Sequence, residues 1–315
     1  MLFSRAMVRF ITHWLLVVLL ATTLSAQTIR VRHPSGMEGA ARRIEREYPE
    51  LLALAETKLG LKYGEPLEVV LTRDHDDFQE AVREAGGQPR PEFVAAVAFP
   101  HRDLIILKSA AWTRGESGSA REIFLHEIVH CVLGAAERLH RRRVPTWLHE
   151  GLAQWVSDRP FRGTPAALES AIQNDRLIPF EDLVRDFPDQ EGASELAYAQ
   201  ALGLVRFLDD YGGGHERGNV RVVLRLILLG DDFASAIRTL TGLEPAAFEQ
   251  IWKGQLRQAA PSILANFAPY IYSGTLFILL VLAYATHRAR RARRLHQLEL
   301  DESLDLVEVS ESVDL

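Results

Sequence analysis

Residues 119–140 read SAREIFLHEIVHCVLGAAERLH, a helical pattern that is apolar in nearly every direction. Ser119 can cap this helix, and Glu122 three residues later completes a capping box. Arginines at 138 and 141–143 follow at the far end, where positive charge is favourable for the helix dipole. A helix with apolar residues on all sides is expected to be buried, so the polar residues within it need an explanation.

Those polar residues are His126, Glu127 and His130. Side chains four positions apart lie on one helix face, so both imidazoles can reach one ion at roughly 2.0–2.1 Å. Glu127 points about 100° further round the helix, close enough to contact a water bound at the ion. This HExxH arrangement supplies two metal ligands and a general base. The alternative is a pair of core histidines with an ion-paired glutamate, but a buried carboxylate is costly without a partner or a metal.

Residues 144–158, VPTWLHEGLAQWVSD, predict a second helix that offers a third ligand. Its apolar stripe for the core consists of Leu148, Leu152 and Trp155. Glu150 points away from that stripe, and a catalytic zinc needs a third protein ligand beside an open fourth position. The alternative for Glu150 is an exposed carboxylate on a helix face. Gly151 beside it would let another backbone approach closely.

The strings LHEIVH and PTWLHEGLAQW resemble the gluzincin metallopeptidases, specifically the peptidase-MA-like group, over roughly residues 64–212. In that group a W-L-x-E-G string carries the third zinc ligand. The resemblance implies that His126, His130 and Glu150 bind one zinc ion per chain and that Glu127 is the catalytic base.

The resemblance has two structural implications. In thermolysin-like members an Asp four residues after the ligand Glu supports a zinc-binding His, whereas this chain has Gln154 there, which implies different supporting contacts. Residues 95–107, AAVAFPHRDLIIL, resemble the pair of strands that supplies an antiparallel edge strand for extended peptide substrate. The pattern alone predicts only a hairpin, and backbone pairing of this kind makes limited sequence demands on a peptide.

The oxyanion of peptide hydrolysis needs a hydrogen-bond donor besides zinc. Candidates are Tyr198, His149 and His215. Residues 197–213, AYAQALGLVRFLDDYGG, resemble the later family helix that carries such a tyrosine, which favours Tyr198 as the catalytic donor. The alternative for Tyr198 is a packed tyrosine in the core or at an interface.

The order of predicted elements indicates an α+β fold, in which strands come first and helices follow. Helices are predicted at 38–59 and 75–85, strands at 66–72, 93–99 and 103–108, and mainly helix from Ser119 onward. We therefore expect a small antiparallel-containing sheet packed on a mainly helical zincin-like catalytic domain, followed by one transmembrane helix near the C-terminus.

The composition excludes some classes of protein. The chain has 315 residues, a formal net charge of -6 and one cysteine, Cys131. The net charge is negative, whereas nucleic-acid-binding proteins typically have a surplus of basic residues, so we expect no nucleic-acid partner. One cysteine cannot form an intramolecular disulfide, so the chain must fold by burying a core. Cys131 lies in the apolar helix, which predicts a buried, inert thiol.

The two ends predict a location at the cell membrane. Residues 1–26 have a basic start, a short apolar run and small residues, as a secretory signal peptide does, and an uncleaved anchor is the alternative. Residues 263–286 carry no charge over 24 positions, enough for a transmembrane helix, and a buried core helix is the alternative. Five arginines at 288–294 follow and should stay cytoplasmic, which places residues 27–262 outside the cytoplasm.

The tail at 287–315 is basic and then acidic, a composition that predicts a disordered cytoplasmic segment. The alternative is a peptide that docks on a cytoplasmic partner.

The predicted function is zinc-dependent hydrolysis of peptide bonds, in peptides or proteins, by a membrane-anchored extracytoplasmic peptidase. A first rival is a catalytically inactive gluzincin-fold peptide-binding or chaperone module at the membrane. Glu127 argues against that rival, because binding alone has no use for a base. A second rival is a structural membrane protein that acts through its acidic tail.

Overall fold

The structure is a computed structural model that describes residues 28–113, 117–158, 165–185, 187–188, 193–211 and 218–259. The strands among them are β1 (Ile29–Arg32), β2 (Leu67–Thr72), β3 (Ala96–Phe99) and β4 (Leu104–Lys108). The helices are α1 (Glu38–Leu59), α2 (His75–Glu84), α3 (Ala110–Thr113), α4 (Ser117–His140), α5 (Thr146–Ser157), α6 (Pro165–Gln173), α7 (Phe180–Arg185), α8 (Ala193–Asp210), α9 (Asn219–Leu229), α10 (Phe233–Thr241) and α11 (Pro245–Ala259). The predicted α+β class, mostly helical with a small sheet, is confirmed.

The sheet has the strand order β1-β2-β4-β3. The pairs β1–β2 and β2–β4 are parallel, and β3 runs antiparallel to β4 at one edge. Successive residues of β4 alternate between two cores, because side chains along a strand point to opposite faces. Ile105 and Leu107 join the main core with α1, α4, α5 and α8, while Leu104 and Ile106 pack under α2. The sheet is therefore covered on both faces.

Three local predictions needed correction. Strand β1 was not predicted, because IRVR is short and half of its residues are exposed arginines. β3 begins at Ala96 rather than at 93, since the backbone N–H of Val94 donates to Pro91 in a turn. α4 begins at Ser117, so Ser119 lies inside the first turn and not at the predicted cap position.

The turn between β3 and β4 is fastened to α4. A side chain at Gly134 would place its Cβ 2.3 Å from Cβ of Pro100, so the turn rests directly on the helix. Arg138 donates to the carbonyl of Pro100 and, at 2.7 Å, to both carboxylate oxygens of Asp103. Tyr63 donates to the same carboxylate at 2.9 Å. These contacts hold β3 over the face of α4 that carries the HExxH residues.

Helix α5 is held against α8 just as closely. A Cβ at Gly151 would lie 2.6 Å from the carbonyl oxygen of Ala201, which confirms the predicted close backbone approach. Gln154 is fully buried and donates to the carbonyls of Glu150 and Tyr198, at 3.4 and 3.0 Å. The direction in which Glu150 points is thus set by packing around it.

The described residues include no helix of the length and apolarity that crossing a membrane requires. The segments predicted as signal peptide (1–26), transmembrane helix (263–286) and cytoplasmic tail (287–315) lie outside the described residues.

Candidate metal centre

Three side chains from two helices converge in one cleft. His126 and His130 lie one turn apart on α4, and Glu150 lies on α5. The Nε2 atoms of the two histidines are 3.2 Å apart, and each is 3.5 Å from Oε2 of Glu150. Within the described part of the chain, this triad is the one group of His, Cys, Asp and Glu residues with ligand atoms close enough to share a metal ion.

The distances within the triad fit a zinc ion. A triangle with sides of 3.2, 3.5 and 3.5 Å has its centre about 2.0 Å from each corner, close to the roughly 2.0–2.2 Å of zinc–nitrogen and zinc–oxygen bonds. Two imidazoles and one carboxylate also form a donor set typical of a catalytic zinc with an open fourth position. The three residues line the cleft, so the open position would face it.

Opposite influences act on the pKa values of the triad. Burial alone would raise the pKa of Glu150, yet the charge of His130 and hydrogen bonds from both histidines hold that pKa well below its ordinary value. Burial alone would lower the pKa of His130, but Glu150 and Glu127 raise it above its usual value. A metal ion at the centre of the triad would supply positive charge beside Glu150 with both imidazoles neutral.

Glu127 lies beside the triad without belonging to it. Its side chain is buried and lines the same cleft. Burial raises the pKa of Glu127, while His126, His130 and a hydrogen bond with the backbone of Ala98 oppose that rise. A carboxylate that holds a proton more readily than usual is suited to accept one and then return it.

The open edge of β3 borders the same cleft. Lys108 donates its backbone N–H to Ala95, so residues opposite each other alternate between hydrogen-bonded and non-bonded pairs along the strands. By this alternation Ala96 and Ala98 turn their backbone groups away from β4, consistent with the contact between Ala98 and Glu127. The edge strand implied by the resemblance thus lies where a peptide could pair with it.

Helix α5 also brings His149 against the far side of His130. Their Nδ1 atoms are 2.9 Å apart, and the rings stack with centroids 5.1 Å apart. Burial and the charge of His130 lower the pKa of His149 to about 3, so its imidazole is neutral. If His130 bound an ion through Nε2, its Nδ1–H would donate to the unprotonated Nδ1 of His149.

Glu137 lies next to His149. Oε1 of Glu137 is 3.9 Å from Nε2 of His149, and it accepts the backbone N–H of Val144 at 2.6 Å. His149 thus lies between His130 and Glu137, whereas Gln154 donates to backbone carbonyls instead. The sequence contained a signal for Glu137, since it follows His130 by seven positions on the same helix, and that spacing returns to the same face.

Tyr198 reaches the cleft from α8. It lines the cleft together with the triad and Glu127, and its ring meets Phe187 edge to face at 5.1 Å. The cleft encloses about 1200 Å³, enough space for an extended peptide segment. Of the other two candidate donors, His149 contacts His130 and His215 lies outside the described residues.

Comparison with known proteins adds one finding. A family model described as the Peptidase MA superfamily matches residues 50–258, which includes β2, the edge strand and every residue of the triad. A search of curated proteins gave no significant match.

Proposed function

The chain belongs to the peptidase MA superfamily, and from this premise we propose that it hydrolyses peptide bonds with one zinc ion bound by His126, His130 and Glu150. Family membership supports the peptidase activity. The zinc dependence rests on one observation, the triangle of ligand atoms whose centre lies about 2.0 Å from each atom. The assignment of the chain to the gluzincin type rests on the third ligand, a glutamate on the helix that follows the HExxH helix.

The residues around the triad have separate tasks in the proposed reaction. A zinc ion held by His126, His130 and Glu150 would act as a Lewis acid toward water and the scissile carbonyl. Glu127 accepts the proton of the attacking water and delivers it to the leaving amine. Tyr198 donates a hydrogen bond to the oxygen that becomes negative in the transition state. The backbone edge of β3 at Ala96 and Ala98 holds the peptide extended across the cleft.

The substitution Glu127→Gln tests this function. The amide is nearly the same size as the carboxylate but cannot accept the proton, so hydrolysis should fall by about 10²–10⁴-fold at unchanged zinc content. The measurements are cleavage of a peptide mixture and zinc per chain in the full-length protein, with the exposed Glu84→Gln as control. Equal cleavage by the native and Glu127→Gln proteins would refute the proposal. Peptide binding without cleavage by the native, zinc-loaded protein would favour the inactive binding module instead.

Tyr198→Phe tests the second catalytic assignment. Loss of the phenol donor should slow turnover about 10–100-fold, because a metal already stabilises part of the same charge. Zinc content should stay the same, since Tyr198 is not in the triad. If Tyr198→Phe turns over as fast as the native protein, Tyr198 has only a packing role. His215 would then be the next candidate for the oxyanion donor.

We also propose that residues 27–262 form an extracytoplasmic domain, anchored by residues 263–286 after removal of residues 1–26. The support is the uncharged run and the arginines that follow it. A reporter that is active only outside the cytoplasm should work when fused near residue 262 and fail when fused after Arg294. The opposite result would reverse the orientation.

A further inference from the structure

The cleft combines two kinds of surface. Apolar residues line part of it, which are Phe93, Val94, Val184, Phe187 and Pro188. Arginines line it as well, which are Arg90, Arg138, Arg141, Arg142 and Arg143. The triad and Glu127 line the same cleft, so a bound peptide would meet both kinds of surface.

Three of these arginines lie in the connection between the two helices that supply the triad. α4 ends at His140 and α5 begins at Thr146. Arg141 has a left-handed backbone with φ of 54°, and the N–H of Arg142 donates back to the carbonyl of Glu137 at 3.1 Å. The chain therefore turns sharply and keeps residues 141–143, here called the cationic loop, at the wall of the cleft.

The three arginines of the cationic loop differ from their neighbour Arg138. Arg138 is bound to Asp103 at 2.7 Å, and some exposed arginines elsewhere are also paired, as Arg238 is with Glu244 at 3.0 Å. Within the described part of the chain, the guanidinium groups of the cationic loop make no hydrogen bond or ion pair, although all three are exposed. They therefore have donors available for a ligand.

Glu137 also lines the cleft, near the C-terminal end of α4. It is partly buried and already accepts the N–H of Val144, and Arg143 lowers a pKa that burial has raised. Within the described residues, no ion pair joins Glu137 to the cationic loop.

We propose that this cleft selects peptides with acidic side chains on one flank of the scissile bond, bound by the cationic loop, and that this selection acts within the proposed peptidase function. Guanidinium groups bind carboxylates through paired, charge-assisted hydrogen bonds. A peptide paired along β3 would lie beside α4, and the cationic loop begins 11 positions after His130, past the end of that helix and to one side of the triad. The apolar residues of the cleft would contact the rest of the peptide.

An anionic membrane surface is the competing ligand for an exposed arginine cluster. The position of the cationic loop argues for peptide, because its three residues line the same cleft as the triad. The same experiment can decide between the two ligands.

The experiment measures binding of short fluorescent peptides to full-length, zinc-loaded Glu127→Gln protein, which should bind without cleaving. Two peptides differ only in having Asp or Asn on one flank of the central bond, and a second pair carries them on the other flank. An exposed ion pair strengthens binding by up to about fivefold, so the Asp peptide of one pair should bind up to about fivefold tighter at low salt. High salt should reduce the preference.

Two triple variants locate the effect. Arg141→Gln, Arg142→Gln and Arg143→Gln together should abolish the preference for Asp. The control replaces three exposed arginines outside the cleft, Arg42, Arg46 and Arg83, with Gln and should retain it. Equal binding of Asp and Asn peptides in both pairs would overturn the proposal, and this comparison needs no loop variant to fold. A preference that survives in the loop variant would overturn it as well.

Two further measurements separate the possible failures. If the native enzyme cleaves Asp and Asn peptides at equal rates, the acidic selection fails and the peptidase function stands. If Asp peptides bind preferentially but the native enzyme cleaves none, the peptidase function fails and the selection stands. Vesicles of phosphatidylserine that bind the native chain but not the loop variant, without any peptide preference, would assign the cationic loop to the membrane and overturn the proposal.

Discussion

Helices α4 and α5 hold the candidate metal centre in contrasting ways. α4 is apolar nearly all round, so His126, Glu127 and His130 interrupt a surface that the fold would otherwise bury in the core. α5 carries other polar residues beside Glu150, such as His149 and Gln154. On α4 a polar residue indicates a functional site, because burying it in an apolar helix costs free energy. On α5 a glutamate is unremarkable in the sequence, and only the packing of α5 against α8 shows that it points to the histidines.

Removing one proposed ligand from each helix is the most direct test of this contrast. His126→Ala on α4 and Glu150→Ala on α5 should each reduce zinc from about one ion per chain to little or none, because a catalytic site has three protein ligands. Metal analysis of the purified full-length variants measures this, with His140→Ala at the exposed end of α4 as control. Full zinc in either ligand variant would remove that residue from the set.

A smaller effect is expected from the contact between the two helices at His149. His149→Phe keeps a ring but removes the acceptor for His130, so zinc should bind about 10–100-fold more weakly. His149→Asn offers an acceptor oxygen again and should recover part of the affinity. Competition with a chelator measures the zinc affinity, and urea unfolding without metal shows whether stability changed. Unchanged affinity in His149→Phe would mean that the stacked pair only fills space.

The last two tests concern the glycines by which the two helices contact their neighbours, and the expected effect is on stability rather than on zinc binding. Gly151→Ala forces a methyl group against the carbonyl of Ala201 inside α8, and should destabilise the fold by about 1–3 kcal/mol. Gly134→Ala meets Pro100 in the turn that Arg138 fastens to α4, so its loss of stability should be similar. Urea denaturation measures both losses. Native stability of either variant would show that its neighbour can shift.

Much of the fold and part of the site could be predicted from the sequence. Periodicity predicted α1 and α2 to within a residue, because each has a clear apolar face, and Cys131 is buried as predicted. The HExxH residues were legible because spacing along one helix determines which side chains share a face. Glu150 needed a family resemblance, since its approach to the histidines depends on how α5 packs on α4 and α8.

Local sequence patterns could not predict the contacts that support the site. His149 was predicted only as a candidate oxyanion donor, and its stacking on His130 depends on the crossing of two helices. Strand β1 was missed because four residues with two exposed arginines carry little alternation. The unpaired state of the cationic loop was equally hidden, as a run of arginines at a helix end is usually explained by the helix dipole.

The triad is also unusually local along the chain. His130 follows His126 by 4 positions and Glu150 follows His130 by 20, whereas Ile29 of β1 pairs with Leu67 of β2, 38 positions later. The entropy lost on closing a loop grows with its length, so α4 and α5 can approach each other before the parallel strands do. We expect an ion available during folding to bind this early hairpin, so that metal supply would influence how fast the chain reaches its native state.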